Sequence, residues 1–210
     1  MNFLPPLIQG LYNSLLVTLG ASAVALALSF VAGLALITPW RVLRVPARIY
    51  VEIFRGTSAL VQIFYFFYVL PLIGIELTPM TAGIMALGMC FSAYGAEVVR
   101  SSIQAVDKGQ WEASHALSFS WGMAVRRVII PQALRRMLPP FGNLLVELLK
   151  ATSLVSLIGI TELAFTGSSL VRSTGENVLV YLLVMAVYFA AAYPLSLLVR
   201  HFERRMTKAW

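Results

Sequence analysis

Aspartate, histidine and cysteine are nearly missing from this 210-residue chain, which holds one Asp (Asp107), two His (His115, His201) and one Cys (Cys90). A single cysteine leaves no disulfide framework and no Cys-based metal site. The two histidines stand far apart in unlike settings, so neither is a metal ligand. One aspartate rules out a paired-aspartate membrane protease. The chain has no GxxxxGK[ST] phosphate loop, no HExxH zinc pair and no GxSG within an apolar run, so P-loop ATP binding and the corresponding hydrolytic chemistries are excluded. Nothing here makes or breaks bonds, and no cofactor is implied. Charge is also scarce: 12% of residues are charged, against roughly 25% in ordinary globular domains. Met1 to Trp40 carries none at all. A secretory signal opens on a positive region, and here the first positive charge is Arg41, so the N-terminus reads as an uncleaved span.

What fills the chain instead is apolar: 59% of residues are hydrophobic. Five stretches approach or exceed the roughly 20 residues a spanning helix needs, near residues 11–37, 59–75, 80–99, 141–165 and 178–199. Five such helices have nowhere to hide in a soluble fold. The expectation is an all-α integral membrane protein, one bundle over residues 1–210. Cys90, inside the third stretch, reads as a small packing residue.

Lys and Arg fall on one side of this pattern. Arg41, Arg44, Arg48 and Arg55 lie between the first two stretches, and Arg100, Lys108, Arg126, Arg127, Arg135 and Arg136 between the third and fourth. Arg200, Arg204, Arg205 and Lys208 follow the fifth. The opposite segments hold Glu76, and Arg172 with Glu176. Positive loops stay cytoplasmic, which puts the N-terminus outside and the C-terminus inside a cell membrane. The net charge of +7 is then a topology signal with attraction to anionic lipid heads, and not a nucleic-acid footprint.

Small residues recur every four positions at Ala21, Ala25, Ser29 and Gly33, and again at Gly88, Ser92 and Ala96. Lipid supplies no hydrophobic drive for helix association, so such ridges read as close-packing seams. Ionisable residues in or beside spans are costly and therefore informative. Glu97 and Arg100 have the spacing of a same-face structural pair. Glu147 and Lys150 repeat it, with Asn143 one turn earlier. Gln62, Asn143 and Glu147 are the candidates for lining a polar path, and Glu147 is expected to face the interior, paired with Lys150 or meeting a substrate ammonium group.

One polar segment is stranded among the apolar runs: AVDKGQWEASHALSFS, residues 105–120, within a loop of about 105–122. A helical reading gathers Glu112, Ser114, His115 and Ser118 into a compact, mostly neutral surface flanked by basic residues. Held at a membrane face, it looks built to dock onto another protein.

At this point the residues carry a family likeness. GQWEASHALS resembles the EAA loop of the permease subunits of bacterial binding-protein-dependent ABC importers, in the polar amino acid branch. Gly109, Glu112, Ala113, Ala116 and Leu117 match the pattern. Ser114 stands where a second Ala is usual, and Ser118 where the family has Gly, leaving a less flexible backbone at the turn. RGTSALVQIFYFFYVLP (55–71), SAYGAEVVRSSIQAVDKGQ (92–110) and IIPQALRRMLPPFGNLLVELLKATSLVSLIGITEL (129–163) resemble further blocks of the same branch. Leu144 and Leu145 replace the usual Glu-Phe after Asn143, and Ala151 stands where a polar residue is common.

The resemblance implies a type I importer permease with a cytoplasmic coupling helix between spans three and four. It also implies an ATP-binding subunit dimer, a second permease copy or paralogue, and a periplasmic or lipid-anchored solute-binding protein as partners. The cargo it implies is a polar amino acid or related zwitterion, alternatively a compatible solute such as ectoine or an opine. Two readings from other classes are an ATP-independent channel or secondary transporter, for which Glu147 is the only fair ion-coupling carboxylate, and a scaffold whose loop recruits a partner.

Overall fold

The computed structural model describes residues 3–207, all of whose regular structure is helical. Lys208 lies outside the described residues, as do the side chains of Arg204 and Arg205. Helix α1 (Leu4–Ile37) runs for 34 residues. At ~1.5 Å per residue that is about 51 Å, well beyond a ~30 Å hydrocarbon core. It starts before the apolar run beginning at residue 11, because a proline in the first turn lacks only an N–H that would have no partner anyway.

Helix α1 packs on α4 (Pro79–Gln104), whose start is capped by the Thr78 hydroxyl accepting the Thr81 N–H at 3.2 Å. The contact runs along the two small-residue ridges. A Cβ added at Gly33 would lie 2.5 Å from Val99 Cβ, and one at Gly88 2.7 Å from Val24 Cβ. Ser29 Oγ donates to Ala25 O at 2.6 Å and lies 3.2 Å from the Ser92 carbonyl on the facing helix. Packing this close substitutes dispersion contacts for the missing hydrophobic drive.

The second apolar run is not one straight span. Residues 41–56, which read as a basic loop, form helix α2 (Arg41–Gly56). It has three faces: Ala47 and Val51 buried, Val42, Val45, Ile49 and Ile53 exposed and apolar, and Arg41, Arg48 and Arg55 exposed and basic. After it the chain bends by 106° into α3 (Ala59–Phe64), continued by a π-turn (Tyr65–Val69) and a 3₁₀ turn (Leu70–Ile73). The fifteen residues from Ala59 to Ile73 reach only about 22 Å. Four helical stretches among the described residues are long and apolar enough to cross a membrane, and a fifth if this bent pair counts as one.

Beyond α4 come the short helices α5 (Lys108–Ala116) and α6 (Trp121–Ala124). A π-turn (Val125–Ile129) leads into α7 (Ile130–Ala151) and a 3₁₀ segment (Thr152–Ile158). The expected fourth span, 141–165, is corrected here. The helical run begins at Trp121 and stops at Gly159, whose φ of 85° ends it with a left-handed turn. A separate helix, α8 (Leu163–Thr174), then restarts at Glu162, and α9 (Asn177–Thr207) follows a further left-handed turn at Gly175.

Candidate functional site

Helix α5 has only nine residues, too few to persist alone, and its stability comes from its ends and one buried face. At the start, Asp107 Oδ1 accepts the Gly109 N–H at 2.6 Å. At the end, Phe119 N–H donates to Ser114 O at 3.0 Å and Ser118 N–H to His115 O at 2.9 Å. These are the paired bonds of a Schellman motif. Its pivot is Ser118 at φ 57°, the one non-glycine among the described residues with a positive φ. The departure from Gly therefore sits where the backbone asks for one.

The inner face of α5 is fixed. Trp111 packs against the cluster of Val99, Ile103, Val106, Ile129, Ala133 and Met137, and Gln132 Nε2 donates to Gln110 Oε1 at 3.0 Å. Arg136 donates to the Ala105 carbonyl at the loop's entry. Ser114 belongs to this inner face: it is buried and its Oγ donates to Gln110 O at 2.7 Å. The outer face is Glu112, Ala113, Ala116 and Leu117, all exposed, with Leu117 at 67%. A small, apolar, rigidly mounted knob with one carboxylate is suited to docking and unsuited to catalysis.

Asn143, Glu147 and Lys150 are all exposed on one stripe of α7, between residues that are buried or partly so. No ion pair joins Glu147 to Lys150 among the described residues, so the expected pairing is absent and the carboxylate faces out of the single chain. Gln62 is elsewhere. It is buried, with Nε2 donating to Phe54 O at 2.9 Å and Thr57 Oγ1 at 2.8 Å, across the bend between α2 and α3. Glu97 Oε2 accepts Arg100 Nε at 2.8 Å and Nη2 at 2.7 Å. Arg55 approaches Glu97 Oε1 at 4.0 Å and lies over the Tyr94 ring, 5.5 Å from its centroid.

Sequence reasoning missed Glu162. Fully buried, it caps α8: Oε1 accepts the Phe165 N–H at 2.7 Å and Oε2 the Ala164 N–H at 2.9 Å. Tyr188 Oη of α9 donates to Oε2 at 2.8 Å and Ser14 Oγ of α1 at 3.3 Å. Next to it, Asn13 Nδ2 donates to Thr161 O at 2.7 Å. The signal was present as Gly159 followed by an acidic residue ahead of an apolar run, which is a helix stop and a new start. No group of three or more metal-ligating side chains occurs among the described residues.

The family model described as "Binding-protein-dependent transport system inner membrane component" matches residues 25–208. The chain belongs to that family. A Sinorhizobium fredii protein named "Probable amino-acid ABC transporter permease protein" is 39% identical over 99% of this chain and 90% of its own length. The L-cystine transport system permease protein TcyL of Bacillus subtilis is 34% identical over 99% and 92%. A crystal structure of an amino acid ABC transporter with histidines superposes with a TM-score of 0.90 at 34% identity, over 98% of this chain and 99% of that one. This permease is thus a multi-pass inner-membrane transport subunit and not an enzyme. ATP hydrolysis resides in a separate subunit, and a solute-binding protein is the other partner the family implies.

Proposed function

We propose that this permease is one of two membrane-spanning subunits of an ATP-driven importer carrying a polar amino acid or related zwitterion into the cell. Its N-terminus lies outside and its C-terminus in the cytoplasm. Helix α5 seats Glu112, Ala113, Ala116 and Leu117 in a groove on the ATPase, and the second permease copy or paralogue faces the Asn143–Glu147–Lys150 stripe across the path. The observation that carries the reading is this polar stripe on an otherwise apolar helix. A carboxylate and an ammonium facing hydrocarbon would each cost several kcal/mol, whereas facing a hydrated path between subunits they match the two charged ends of a zwitterion.

Motion follows from rigidity. Trp111 and the caps fix α5 to α4 and to the start of α7, so movement of the ATPase is passed on to both helices. Rocking two bundles against one another alternates access to the path, and ATP and delivered cargo drive transport by favouring different states. The test is uptake by proteoliposomes containing the permease, its ATPase and its binding protein, with a panel of labelled amino acids. Accumulation that requires ATP and the binding protein supports the reading. Equilibration without either would favour a channel.

A further inference from the structure

The apolar stretches of this chain are almost free of charge. Across residues 1–40, 56–75, 77–96, 137–158 and 177–199 the sequence carries two ionised side chains, Glu147 and Lys150, one of each sign. Two other carboxylates of the bundle are already satisfied, Glu162 by its four donors and Glu97 by Arg100. Glu147 and Lys150 are not. Both are exposed, as is Asn143, and none of the three side chains makes a hydrogen bond or ion pair with another described residue. Val146, Leu148 and Leu149 beside them are buried, so the stripe is a narrow polar line on an apolar helix.

Two features of the stripe set what it can hold. Its two charges cancel, so a ligand of zero net charge leaves none uncompensated, whereas a cation or an anion adds one beside apolar side chains. The order along α7 is Asn143, Glu147, Lys150, at steps of about 6 and 4.5 Å. An α-amino acid carries its ammonium and carboxylate on one carbon, which the neighbouring Glu147 and Lys150 can meet together. Asn143 is left for the side chain, and its amide donates and accepts but holds no charge. We propose that Asn143, Glu147 and Lys150 form a charge filter within the permease. It passes neutral amino acids with a hydrogen-bonding side chain and holds back cationic and anionic ones, independently of the solute-binding protein. The filter rests on the stripe facing the path, as proposed above.

The experiment measures equilibrium binding of labelled glutamine, leucine, arginine and glutamate to the purified permease–ATPase complex. The binding protein is left out, because its own selectivity would mask the filter. Glutamine should bind roughly 100-fold more tightly than arginine or glutamate, each of which brings one unpaired charge. It should bind about tenfold more tightly than leucine, which leaves the Asn143 amide unmet. Lys150→Gln leaves the stripe with only its carboxylate and should turn the preference to arginine; Glu147→Gln leaves only the ammonium and should turn it to glutamate. A native complex that binds arginine, glutamate or leucine as well as glutamine would overturn the filter, as would saturable binding of none of the four. In the former case, weaker glutamine binding by both variants would still keep the stripe on the path. Variants that bind all four amino acids as the native complex does would take the stripe off the path and the filter with it.

Discussion

The Glu162 carboxylate and the Tyr188 hydroxyl lie 2.8 Å apart, joining the start of α8 to the middle of α9 with Ser14 of α1 on the same oxygen. No cation among the described residues takes part; four donors satisfy one buried carboxylate. The node is a polar junction at which three helices meet, and it stabilises because every donor it holds has its acceptor.

Removing the phenol should therefore loosen the bundle without touching the path. Tyr188→Phe forfeits a hydrogen bond to a charged group, about 2 kcal/mol, and should lower the apparent melting temperature of the purified permease by roughly 4–8 °C. Glu162→Ala should do more, because it also leaves backbone donors of α8 without partners. A melting temperature unchanged in both variants would remove the node from the account.

At position 118 the residue type and the backbone disagree. Ser118→Gly should relieve a left-handed strain of about 1 kcal/mol and slow amide exchange of Lys108–Phe119 roughly fivefold in hydrogen–deuterium exchange. Ser118→Val should accelerate it. Identical exchange in all three chains would mean that Ser118 bears no strain.

Glu147 has no partner among the described residues, so its loss should spare the fold. Glu147→Gln is predicted to leave the melting temperature and complex assembly intact and to lower amino acid uptake at least tenfold, read as initial rates in proteoliposomes. Normal uptake across substrate concentrations would take Glu147 off the path.

Much of this was legible in composition, and the rest was hidden for physical reasons. The ridges at Ala21, Ala25, Ser29 and Gly33 and at Gly88, Ser92 and Ala96 announce themselves, because only small residues permit that approach. Helix α2 hid because Arg41, Arg44 and Arg48 read as a loop until their period is set against Val42, Val45 and Ile49. Glu162 hid inside a run that counts as continuous apolar sequence, where hydropathy averages over the break at Gly159. The missing Glu147–Lys150 pair is a matter of partners: spacing brings two side chains to one face but leaves open whether they choose each other or a hydrated path.

Orientation has its own test. In a Cys90→Ala background, a cysteine at the exposed Ser169 of α8 should react with an impermeant thiol reagent from the periplasm, and one at Ser118 should not. The opposite pattern would invert the permease and move α5 away from the ATPase.

The central claim is that the outer face of α5 is the contact through which ATP hydrolysis drives transport, and Ala113→Asp tests it most directly. Ala113 is exposed between Glu112 and Leu117, so the substitution leaves the chain's own packing alone and buries an unpaired charge only on docking. A penalty of about 3 kcal/mol weakens ATPase binding by roughly 100-fold. Co-purification of the ATPase with the variant should fail and uptake collapse, while the melting temperature of the isolated permease and the affinity of the binding protein for its cargo stay unchanged. An Ala113→Asp permease that retains its ATPase and transports at the native rate would contradict the account.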